Sequence, residues 1–153
     1  MTQEYIMKRK MVLAIIYSVI TSVALAVFIG LYIDECNRVQ ETYRTQFNAN
    51  LAHTIDSVES YQNAEGDLEA RYRRILSDMS SADSFAFLLK NLTEEQKIAV
   101  NELHTCLLKY PEQMQEPERM EALRQTLIDL NENLDKGFEE AEELVATIDK
   151  MGH

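Results

Sequence analysis

The residues best equipped for chemistry are few and scattered. Three histidines stand at positions 53, 104 and 153, and two cysteines at 36 and 106. None of the histidines completes a Glu-x-x-His pair of the di-iron type or a His-Glu-x-x-His zinc site. His104 and Cys106 are two residues apart, so on a helix they face different ways and make poor co-ligands. Glu139, Glu140, Glu142 and Glu143 bracket Ala141. Such a run holds a divalent cation loosely, and a solvated helix face is its ordinary reading. Arg71, Arg73 and Arg74 form a basic cluster suited to an acidic partner, or, more simply, to the many carboxylates around them.

The glycines are at 30, 66, 137 and 152. They build neither a phosphate-cradling loop nor a dinucleotide fingerprint, and no serine sits in a nucleophile elbow. No twelve-residue calcium loop is present. The sequence therefore predicts no cofactor, no metal and no enzyme. Asn91-Leu92-Thr93 has the glycosylation-acceptor form, although Thr93 also has a structural use as a helix cap. Tyr43, Phe47, Tyr61, Tyr72, Phe85, Phe87 and Phe138 recur at helical spacing, which reads as core rather than as the lining of a ligand pocket.

The element that must position all of this is a charge-free stretch, residues 11–33. As a helix its 23 residues measure roughly 34 Å, enough to cross a hydrocarbon layer of about 30 Å. Lys8, Arg9 and Lys10 precede it and Asp34 and Glu35 follow it. Positive charge stays on the cytoplasmic side, so the expected arrangement is a cytoplasmic tail of residues 1–10, a transmembrane helix over 11–33 and an outer domain over 34–153. The expectation is a single-pass protein of the cell membrane. A cleaved signal peptide competes, with Ala24-Leu25-Ala26 as its cleavage site. Cleavage there would leave the apolar run of residues 27–33 exposed at the new end. Within the span, Ala14, Ser18, Ser22, Ala26 and Gly30 recur every fourth residue and form a stripe of small side chains, a surface along which membrane helices approach closely.

The whole chain carries a net charge of −11, and the three basic and one acidic residues before Asp34 leave −13 on the remainder. Such a domain repels phosphate backbones and anionic lipid, which argues against binding nucleic acid or a membrane surface. The outer domain should be oxidising territory. A bridge within one chain is not expected, because the helical arrangement separates the cysteines, but Cys36 of two chains side by side would form an intermolecular disulfide. Free thiols are the other reading.

Beyond the span the pattern is helical, and the fold class predicted is all-α: a transmembrane helix followed by an extracytoplasmic helical bundle or antiparallel coiled coil. Helices are expected over about 34–79, with a weak point at Gly66, then 81–91, 94–110 and 117–150. Met79-Ser80-Ser81-Ala82-Asp83 reads as a stop, and Thr93-Glu94-Glu95-Gln96 as a capping box. Pro111 to Glu116 reads as a loop. Met120, Leu123, Leu127, Leu130, Leu134, Ala141, Leu144 and Ile148 alternate in steps of three and four, with Gly137 in the same register, as in a coiled-coil seam. An unbroken first helix would leave the seams open for a partner chain; a turn at Gly66 would let four segments cover one another. The function expected is a membrane-anchored interaction protein, a scaffold or accessory subunit that binds a protein partner or itself. The alternative is a four-helix ligand-sensing module.

Overall fold

The computed structural model describes residues 3–64 and 66–150, and every element among them is helical. The chain divides into two compact units, Met1–Val39 and Gln40–His153. Helix α1 runs Gln3–Gln62 and contributes to both. In the first unit, residues 11–33 are helical and their large apolar side chains lie open, from Met11 at 60% exposure to Ile33 at 53%.

The second unit holds a closed apolar core. On α1 the buried face is Phe47, Leu51, Thr54, Ser57 and Val58, spaced by three and four as one side of a helix requires. The helix stops at Gln62 because Ala64 and Gly66 both take positive φ, 53° and 71°. Glycine adopts that conformation without steric cost. Asp67 then caps α2 (Leu68–Leu88), its carboxylate accepting from the amides of Glu69 and Ala70 at 3.0 and 3.4 Å. The chain therefore turns at Gly66. Tyr61 meets Tyr72, Ser57 donates to Asp78, and Gln40 bonds at Leu88, so α2 runs antiparallel to the later part of α1.

The expected stop at residues 79–83 does not exist: α2 continues through it. Met79, Ala82 and Ala86 are fully buried, and the hydroxyls of Ser81 and Ser84 donate to the carbonyls four residues back at 3.1 and 2.9 Å. Residues that favour caps in isolation are here satisfied inside a packed helix. Helix α3 (Glu94–Lys109) opens with the reciprocal Thr93–Gln96 capping box and packs on α2. The stretch expected as a loop after it contains one helical turn, α4 (Pro111–Met114), whose Met114 is buried.

The expected single helix over 117–150 is two helices, α5 (Pro117–Glu132) and α6 (Leu134–Ala146), broken at Asn133 with φ −142° and ψ 88°. Helix α6 folds back on α5 and also packs on α3. The seam consequently faces itself. Met120, Leu123, Leu127 and Leu130 on α5, Ala141 and Leu144 on α6, and Ile148 just beyond it are all buried, and Leu134 is half-buried. Gly137 lies at the crossing. A Cβ there would stand 2.3 Å from the Leu130 amide nitrogen and 2.5 Å from its Cα, so only glycine lets the two backbones meet.

Candidate functional site

The exposed charge-free stretch of α1 is the first candidate. Ala14, Ser18, Ser22, Ala26 and Gly30 are all open on α1, and a Cβ on Gly30 would meet nothing within 4 Å. The Ser22 hydroxyl donates to the Ser18 carbonyl at 2.9 Å, and Thr21 to the Tyr17 carbonyl at 2.8 Å. These two hydroxyls are thus satisfied along the helix itself. Cys36 is a half-exposed free thiol. Six residues beyond Gly30, it lies about 240° round the helix from it. A dimer packed along the small-residue stripe would leave Cys36 away from the contact, so a bridge through it requires a different face.

The second unit contains a buried polar cluster that the sequence did not reveal. Asp83, the last residue of the expected stop, sits within α2 and is 8% exposed. Its Oδ2 accepts from Asn101 Nδ2 at 2.9 Å and lies 3.2 Å from His104 Nδ1, which donates to it when protonated there. Its Oδ1 is buried with no partner. Asn101 and His104 are three apart on α3 and so share a face; that spacing, set against a carboxylate on a neighbouring helix, is the signal that would have found them. A histidine oriented by a carboxylate is half of a proton-transfer apparatus. Among the described residues, however, no three metal-binding side chains gather, and neither Asp83 nor His104 lines any of the spaces described below.

A second network ties the α5–α6 crossing. Asp129 Oδ2 accepts from Gln125 Nε2 at 3.0 Å and from Lys136 Nζ at 2.8 Å, and Lys136 reaches Glu140 at 3.0 Å. The Gln125 amide, seconded by the Lys136 ammonium, holds the Asp129 carboxyl down to about 2. Of the run of glutamates, Glu140 enters this network while Glu139, Glu142 and Glu143 are exposed, and the run gathers no set of metal ligands among the described residues. Between α1 and α5, Arg124 grips Glu59 at 2.6 Å and Gln62 donates to Glu121 at 2.9 Å.

Cys106 is buried, and burial raises its thiol above the ordinary value. Tyr72 is likewise raised by burial, and its hydroxyl donates to the Leu107 carbonyl at 2.7 Å. Phe47 is core, and Tyr43 packs at 6.3 Å against Phe85. A space of about 90 Å³ beside Phe47, Arg44 and Asn131 is water-sized rather than the few hundred Å³ of a ligand pocket. A groove of about 340 Å³ on α5 and α6, beside Gln125, Thr126 and Leu144, is open to solvent.

No protein-family model, no curated protein and no solved structure matches this chain.

Proposed function

We propose that the chain is a single-pass membrane protein of the cell membrane, with its N-terminus cytoplasmic and its acidic helical bundle outside. It acts as a scaffold or accessory subunit and binds a protein partner or a second copy of itself. One observation carries this reading: the helix holding the charge-free residues 11–33 has no part of its most apolar window buried, while the second unit closes its own core. A surface of that size and composition is stable in lipid and not in water. Lys8, Arg9 and Lys10 on one side and Asp34 and Glu35 on the other favour the stated orientation.

The partner-binding surface favoured is the stripe from Ala14 to Gly30 rather than the seam, because the seam residues are consumed in the α5–α6 contact. The ligand-sensing alternative wants an enclosed pocket between helices; the space beside Phe47 is about 90 Å³, and larger spaces of about 210–340 Å³ are more open.

The test is topology. Full-length protein expressed with a tag at each end should resist carbonate extraction from membranes. In intact cells, added protease should remove the C-terminal tag and spare the N-terminal one. Release by carbonate, or the reverse protection pattern, would overturn the anchor or its orientation respectively.

A further inference from the structure

The second unit keeps a few large apolar side chains in the open, at its two ends. Leu68 and Leu108 are 42% and 59% exposed at one end; Phe87, Leu88 and Ile98 are 50%, 48% and 53% exposed toward the other. Exposure alone does not choose between the ends. The chain does. Where α2 gives way to α3, the Gln40 side chain clamps the turn: its Nε2 donates to the Leu88 carbonyl at 3.1 Å, and its Oε1 accepts from the Lys90 amide at 2.8 Å. These bonds satisfy a carbonyl at the end of α2 and an amide in the turn, so the turn is fixed to α1 at residue 40.

Gln40 is seven residues beyond Ile33, the last residue of the charge-free stretch. Seven residues reach at most about 25 Å when fully extended and rise about 10 Å as a helix. The headgroup layer beyond the hydrocarbon is itself about 6 Å thick. Phe87 and Leu88 are therefore tethered within reach of the bilayer that holds the span, whereas Leu68 and Leu108 lie at the far ends of their helices from this clamp. Lys90 beside them is exposed and unburied, an aliphatic stem with a charge that suits the headgroup level. Leu89 and Leu92, 3% and 6% exposed, hold the turn from behind.

On the membrane-anchor reading above, we infer that Phe87 and Leu88 form a foot that enters the headgroup–acyl boundary of the bilayer carrying the span. The occupant of this apolar end is lipid, not a protein. The attraction is apolar, so it operates on a zwitterionic surface despite the negative charge of the domain.

The test uses the full-length chain with Cys36→Ser, reconstituted in phosphatidylcholine nanodiscs. An environment-sensitive fluorophore is attached at Lys90→Cys, at Leu68→Cys or, as a span marker, at Val23→Cys. The background without an added cysteine measures labelling of buried Cys106. Nitroxide lipids labelled at the headgroup or along the acyl chain are the quenchers. The expected result is strong acyl-chain quenching at 23, headgroup-level quenching with a blue-shifted emission at 90, and neither at 68. Adding Phe87→Ser and Leu88→Ser should abolish the quenching at 90 while leaving that at 23 intact. Both side chains are exposed, so the double variant keeps its fold, which far-UV circular dichroism verifies. Position 90 unquenched while 23 is quenched, quenching at 90 that survives the double variant, or equal quenching at 68 and 90 would each overturn the foot and spare the anchor. Loss of quenching at 23 itself would overturn the anchor.

Discussion

Replacing Gly137 with alanine is the sharpest probe of how α5 and α6 meet. Helix propensity alone says the change should stabilise α6 by about 1 kcal/mol. The crossing says the opposite. The added methyl would lie 2.3 Å from the Leu130 nitrogen, 2.5 Å from its Cα and 2.7 Å from the Asp129 carbonyl carbon. These are backbone atoms of a packed helix and cannot swing aside, so α6 must withdraw by about 1 Å to reach an ordinary contact. Withdrawal loosens Leu127, Leu130, Phe138 and Ala141, all buried at or beside the crossing. Overpacking of this kind costs about 1–3 kcal/mol, and a backbone obstacle places it at the upper end. Against the propensity gain the net loss is about 2 kcal/mol. For a domain of this size each kcal/mol is worth about 5 °C, so Tm should fall by about 10 °C. Thermal unfolding of the full-length protein in detergent, followed by circular dichroism at 222 nm, measures it. A Gly137→Ala protein as stable as the parent, or more so, would refute the close crossing and with it the fold-back of the seam.

Leu123→Ala, in the middle of the buried seam, should cost about 2–5 kcal/mol in urea unfolding, and a loss below about 1 would mean the seam is not core. Asn101→Ala removes one of the two partners of a carboxylate that already has an unmatched oxygen; a loss of about 1–3 kcal/mol is expected in the same assay. Asp129 has its folded pKa lowered to about 2, beneath an unfolded value of about 3.9. A depressed carboxyl contributes stability that is fully present above the unfolded value and lost as pH falls through the folded one. Acid unfolding between about pH 4 and pH 2 should therefore be less steep in Asp129→Asn than in the parent, and an unchanged slope would contradict the network. Gln40→Ala should free the turn after α2, read as faster hydrogen exchange at the Lys90 amide with the core amides of α3 unchanged.

Much of the architecture was written in local signals that the fold leaves intact. The Thr93–Gln96 box caps α3 as its spacing demands, and the charge-free run is one uninterrupted stretch of α1. What escaped was decided by tertiary contact. Ser80, Ser81 and Asp83 look like a helix end because their side chains compete for backbone groups; packing of Met79, Ala82 and Ala86 overrides them and draws Asp83 inward to Asn101. The seam residues were identified as an apolar series, but a series with one register cannot tell a long helix from a hairpin folded on itself. The discriminating residue was Gly137, whose meaning depends on the backbone it meets. The Asp83–Asn101–His104 cluster escaped because Asp83 lies on α2 and its two partners share a face of α3, a pairing that only the packing of the two helices reveals.

The break at Asn133 also bears on how the chain reaches its native state. Leu130 and Gly137 touch across seven residues, while Glu59 and Arg124 pair across sixty-five. Closing the longer loop costs about 2 kcal/mol more in chain entropy. The α5–α6 hairpin is therefore cheaper in chain entropy to close than the pairing of α1 with α5. Arg124, the partner of Glu59, is carried on that hairpin. Loop entropy therefore favours closing the α5–α6 hairpin before α1 docks on α5.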